Sequence, residues 1–246
     1  EGSPGYNDSI ATQMREASNY DEGIGLFVKY VVTPNRTGKS PHPSFWQGPE
    51  SIKSGWRTNF RATEKYYEPG KFTTLHAFEW SSAPNGGNLH RNVIFRDTIV
   101  PALPFSAIDG RDPEQLWDWM QKQIDSGSTV LAIPHNSNGS KGMMFPTVNL
   151  KGDSISLEYA QRRQAMEPLI EMMQIKGNSE VHPDFWPNDE FANFEIANSI
   201  QNYSGRTFEK KNFVRYGLEL GLKFEEELGT NPFKHGFVGG TDNHNG

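Results

Sequence analysis

The chain has 246 residues, 35% hydrophobic and 22% charged, enough to bury a sizeable core; no repeat or linker divides it, so a single domain over 1–246 is expected. Its 24 basic and 30 acidic side chains give a formal charge of -6, which argues against a nucleic-acid-binding surface but admits a small basic pocket for an anion. With no cysteine, disulfides, thiolate zinc sites and cysteine nucleophiles are excluded, and any metal must be held by His, Asp or Glu.

The first 50 residues are rich in Gly, Pro, Ser and Asn around one apolar run, IGLFVKYVV (24–32), and their opening stretch lacks a signal-peptide h-region. No apolar run approaches the roughly 20 residues that cross a bilayer, so a soluble chain with no membrane span is expected. Helix is predicted over 50–67, where Ile52, Trp56, Phe60 and Tyr67 recur at helical spacing before Pro69-Gly70. A strand follows over 71–80, then the turn SAPNGGN (82–88) and a second strand over 91–97. Asp112 as N-cap, Pro113, Gln115 and Gly127 bracket the next helix, which leads into a short strand over 128–133. A helix in SLEYAQRRQAM (156–166), a strand over 168–175, a long helix over 207–228 stopped by Gly229 and a last strand over 235–240 complete the order. This alternation predicts an α/β fold with a mainly parallel sheet, open or closed into a barrel.

Chemistry-bearing groups fall at strand ends. Glu79 closes the first strand, the third runs into Pro134-His135-Asn136, the fourth carries Glu171 and Gln174, and the last reaches Asp242 and His244. In parallel α/β proteins these ends share one side, where ligands bind. Imidazoles and carboxylates suit manganese, zinc or iron, and Asp242 and His244 would face the same way if extended. Taken singly, each has a plainer reading: TDNHNG as a polar turn, His135 as a cap or core imidazole, Glu79 as an ion-pair partner. His76 has the opposite parity to Glu79, and His235 lies where its strand starts, so both read as structural. TPNRTGKS (33–40) fails as a phosphate loop because Thr33 replaces the first Gly and PHPSF follows where a helix should begin; no G-x-S-x-G or strand-linked G-x-G-x-x-G is present. The tryptophans read as packing, with Trp80 and Trp186 also able to line a pocket.

The stretches PGKFTTLHAFEWSS (69–82), GNLHRNVIFRD (87–97), VLAIPHNSN (130–138), QIKGNSEVHP (174–183), NDEFANFE (188–195) and NPFKHGFVGGTDNHNG (231–246) resemble a domain-of-unknown-function family related to the PHP (polymerase and histidinol phosphatase) metal-dependent hydrolases. The resemblance implies a distorted (β/α) barrel with two or three divalent metal ions (Mn, Zn or Fe) at the strand ends. On it, Glu79 is similar to the bridging glutamate, His135 to the histidine of the "HP" segment, and Asp242 and His244 to the final D-x-H ligands; His90 is a metal ligand or a substrate contact. The implied activity is hydrolysis of phosphate esters on a small anionic molecule through a metal-activated water. Arg91, Lys176 or both would bind the anion, and His182 would protonate a leaving oxygen or complete the ligand set. The superfamily's opening H-x-H is missing from the seven histidines, at 42, 76, 90, 135, 182, 235 and 244. The barrel is therefore expected to be incomplete, and a non-catalytic binding module with a partial metal centre is the rival reading.

Overall fold

The computed structural model describes residues 4–34, 44–45, 48–194, 196 and 208–244; His42, Trp46 and most of TPNRTGKS lie outside them. Where one domain is expected, contacts group the chain into two compact units, Glu1–Thr74 with Pro101–Pro104, and Leu75–Val100 with Phe105–Gly246.

The first unit is helical. Asp8 starts α1 (Ser9–Arg15) by accepting from the Ile10 and Ala11 amides, and Asn19 starts α2 (Tyr20–Phe27), which passes into a π turn at Val28–Val32. The apolar run at 24–32 is thus helical. The predicted helix over 50–67 is α3 (Pro49–Tyr66); it buries Trp56, whose indole N–H donates to the Pro101 carbonyl at 2.7 Å.

In the second unit Asp112 opens α4 (Pro113–Asp125) with a complete capping box: its side chain accepts from the Glu114 N–H at 3.0 Å while its own N–H donates to Gln115 Oε1 at 3.1 Å. Ser156 caps α5 (Leu157–Met166) through the Tyr159 N–H, and Gly229, at φ 78°, ends α6 (Val214–Leu228) in the left-handed conformation that glycine adopts without steric cost.

Strands β1 (His76–Trp80), β2 (Arg91–Phe95) and β3 (Val130–Pro134) form one three-stranded sheet in that order; β4 (Leu169–Gln174) stands between β5 (Gly177–Asn178) and β6 (Gly236–Gly239) in a second. The mainly parallel sheet predicted from the alternation is not what forms. β2 runs antiparallel to both β1 and β3, β5 antiparallel to β4, and only β4 and β6 pair in parallel among the described residues. The reason is local: residues 81–90 join β1 to β2 without an α-helix, so the chain doubles back instead of crossing over. The architecture is mixed α/β with two small sheets, and the described residues do not close a barrel. β3 lies beside β4, but hydrogen-bond ladders stop on either side of that junction.

One face of the first sheet carries Trp80, Arg91, Val93, Phe95 and Ala132 against Leu116, Trp117 and Met120 of α4 and Ala160 and Arg163 of α5, all essentially buried. Each large apolar side chain removed from water here contributes on the order of 2 kcal/mol. This packed face leaves Glu79 on the other side.

Candidate metal centre

Strand direction decides which residues meet. β2 begins at Arg91, opposite Trp80 at the end of β1 and Pro134 at the end of β3. The residue preceding an antiparallel strand therefore shares an edge with the residues that close its neighbours. His90 reaches the centre by this route although it comes before its strand: its Nδ1 is 2.7 Å from Glu79 Oε1, and its carbonyl accepts from the His135 N–H at 3.2 Å. His135 Nε2 lies 3.3 Å from the same Glu79 oxygen, and the two imidazoles meet edge to face with centroids 5.7 Å apart.

The other Glu79 oxygen faces the C-terminal segment. His244 Nε2 is 3.5 Å from Glu79 Oε2, and Asp242 joins them as a second group whose ligand-type atoms lie within 4.8 Å of one another, as do those of Glu79, His90 and His135. The extended conformation expected for Asp242 and His244 is corrected here: β6 ends at Gly239, and Asp242 has φ 52°. That left-handed turn brings the two side chains together, with His244 Nδ1 at 2.8 Å from the Asp242 carbonyl. Asp is among the few non-glycine residues that enter this region readily.

Burial acts to raise the Glu79 carboxyl, but His135 and His90 outweigh it and hold the group far below the usual carboxylate range, hence ionised. His135 is 2% exposed, and neither ring nitrogen makes a hydrogen bond among the described residues. Buried polar atoms of this kind normally have partners.

Behind these donors is a hydrogen-bonded shell. Glu171 Oε2 accepts from the Asn136 N–H at 2.8 Å; burial pushes the Glu171 carboxyl up, Asn136 and His135 oppose it, and Asp242 adds to it. Asn136 stands in left-handed backbone at φ 52° directly after His135, and Asn88 Nδ2 donates to the carbonyls of both His135 and Asn136. Gln174 Nε2 donates to Asn136 Oδ1 and to Asp242 Oδ2. Lys176 forms an ion pair with Asp242 Oδ2, which brings one of the two expected anion-binding cations to this edge.

Residues 6–246 match the family described as "Protein of unknown function (DUF3604)". The chain belongs to this family. No curated protein and no solved structure matches it.

In this DUF3604 chain, Arg91 stands elsewhere. It pairs with Trp80, the neighbour of Glu79 and so on the opposite face, where its Nε is 3.0 Å from Glu167 Oε1 and its Nη1 donates to the Leu89 carbonyl at 2.6 Å. The guanidinium is fully buried in the core, so it has no route to a solvent-borne anion. His182 is set among Phe185, Phe208 and Phe213, its Nδ1 accepting from the Asp184 N–H at 3.3 Å, and it belongs to neither donor group. His76 is buried, as its parity suggests.

Asn88 and Asn136 have structural parts that the sequence reading did not assign. Their signal was position: Asn88 ends the GGN turn, and Asn136 follows the strand-end histidine at a point where a side chain tolerant of left-handed backbone is useful. A separate cavity of about 350 Å³ is lined by Leu89, Lys141, Phe145, Asn149 and Tyr159 among others, and by none of the candidate ligands.

Proposed function

We propose that this chain is a metal-dependent hydrolase domain related to the PHP superfamily, acting on phosphate esters of a small anionic molecule, with Glu79, His90, His135, Asp242 and His244 as the metal ligands. One observation carries the reading: Glu79 directs one oxygen at His90 and His135 and the other at His244, so a single ionised carboxylate belongs to two donor groups.

The donors fit a divalent ion on chemistry as well as position. All are nitrogen or oxygen ligands suited to Mn, Zn or Fe. The buried His135 ring has Nδ1 without a hydrogen bond and only Glu79 beside Nε2, and Glu79 is ionised without help from an ion. When bound, such ions acidify a water to hydroxide near neutral pH and stabilise negative charge on phosphoryl oxygens.

The chain's own side chains do the rest. Lys176, partly exposed beside Asp242, supplies positive charge to attract and orient an anionic group at this edge. Asn88 holds the carbonyls of His135 and Asn136, and Glu171 fixes the turn that follows His135 through the Asn136 N–H. Arg91 and His182 have no part in the reaction on this reading. The incomplete (β/α) barrel of that superfamily goes with the proposal as its fold.

Elemental analysis of the purified chain tests it. At least about one tightly bound Mn, Zn or Fe per chain is expected, and less than that would sink the reading. Turnover of aryl and alkyl phosphates with added Mn, abolished by His135→Ala, then separates a hydrolase from a metal-binding module that holds the ion without turning over.

A further inference from the structure

We infer that Gln174 is a positioning residue that ties the His135 turn to the Asp242 carboxylate and holds the second donor group in place; the inference rests on the metal reading above. The orientation of its amide is set by the backbone. Gln174 Oε1 accepts from the Lys176 N–H at 2.9 Å, which turns Nε2 toward the centre. Nε2 then donates to Asn136 Oδ1 and Asp242 Oδ2, each at 2.7 Å. An amide nitrogen carries two hydrogens, enough to bond Asn136 and Asp242 together, and the same side chain also acts on the neighbouring Glu171 carboxyl, holding it down. Gln174 is 4% exposed, and water competes little for either bond.

The two ends of this tie differ in how much else holds them. Asn136 keeps its N–H bond to Glu171 and its carbonyl bond from Asn88 whether or not Gln174 is there. The Asp242 carboxylate is hydrogen-bonded through Oδ2 by Gln174 and the ammonium of Lys176, while Oδ1 has His244 Nδ1, the other member of its donor group, at 3.9 Å. Asp242 also sits past the end of β6, one residue beyond the last backbone bond to the neighbouring strand, a long one in which the Thr241 carbonyl accepts from the Ile175 N–H at 3.5 Å. Loss of the Gln174 amide therefore loosens the Asp242 and His244 group and spares the Glu79, His90 and His135 group.

Titrating the metal-free chain with Mn(II), with free ion followed by electron paramagnetic resonance, separates the possibilities without an activity assay. Gln174→Met removes both donated bonds at similar volume; Gln174→Glu also removes them but keeps an acceptor for the Lys176 N–H, so it serves if the first variant folds poorly. Expected are two ions on the wild type and, in both variants, an unchanged first ion with the second weakened by about 10- to 100-fold, the usual effect of losing an outer hydrogen-bond partner. Wild-type stoichiometry and affinity in both variants would overturn the inference and leave the metal reading standing. Loss of both ions from a variant whose metal-free melting matches the wild type would overturn the assignment to one group. A wild type that binds no Mn(II) overturns the metal reading itself.

Discussion

His90 and Arg91 are consecutive in the chain yet belong to two ionic clusters of opposite character. His90 joins Glu79 and His135 at a partly open edge, where the buried His135 ring turns Nε2 to Glu79 and keeps Nδ1 without a hydrogen bond among the described residues. Arg91 joins Glu167, Arg163 and the Trp117 indole on the other face, fully buried, with Arg163 Nε 3.2 Å from Glu167 Oε2 and its guanidinium over the Phe233 ring. In the core cluster one carboxylate, Glu167, meets two guanidiniums in a closed interior; at the edge one carboxylate, Glu79, meets imidazoles beside a partly open surface. Charged residues side by side in sequence can thus serve stability or chemistry according to which face of the sheet they take.

The largest effect should come from the core. Glu167→Ala strips the counter-charge from two buried arginines and is expected to cost about 3–5 kcal/mol in urea unfolding, with metal content of the folded fraction unchanged. Glu79→Ala should act chiefly on the ion: metal-free stability falls by less than in Glu167→Ala, because Glu79 is only partly buried, and Mn(II) affinity drops by on the order of 100-fold or more. If the two variants lost stability equally, the contrast between the clusters would collapse.

A third experiment sharpens it through pH. His235 Nδ1 is 2.9 Å from the Glu167 carbonyl, and burial, reinforced by Arg163, lowers its pKa from 6.5 to about 4. The folded protein then binds fewer protons than the unfolded chain between those values, so stability is full above pH 6.5 and falls as pH drops toward 4. The loss from this group between pH 6.5 and 5 should be about 2 kcal/mol, and His235→Gln should remove that component of the slope. The smallest effect is expected at Lys176. Its ammonium is part exposed, so Lys176→Met should weaken inorganic phosphate binding to the Mn-loaded chain by no more than about fivefold, measured by calorimetry.

Much of the local structure was legible because its signals are short-range. Asp112 with Gln115, Ser156 and Gly229 mark helix ends through bonds within a turn of themselves, and the helices form where they point. Glu79 at a strand end and the D-x-H pair were readable as position plus residue type. Strand direction was not, because an alternation of strands and helices reads alike whether the chain crosses over or doubles back. Two misses at the site follow from it: His90 looked misplaced before its strand, and Arg91 looked available when its register with Trp80 turns it inward. The left-handed turn at Asp242 also escaped, since alternation alone cannot show a reversal of φ.

The junction between β3 and β4 has a mechanical meaning. Side chains span it, through Glu171 to the Asn136 amide and through Ser137 Oγ to the Ser179 carbonyl, where a ladder would otherwise run. Glu79, His90 and His135 belong to the first sheet, whereas Asp242 and His244 trail from the second. Ions shared across Glu79 would therefore act as a rivet through a seam, and amide protons of β6 would exchange more slowly in the loaded chain than in the stripped one.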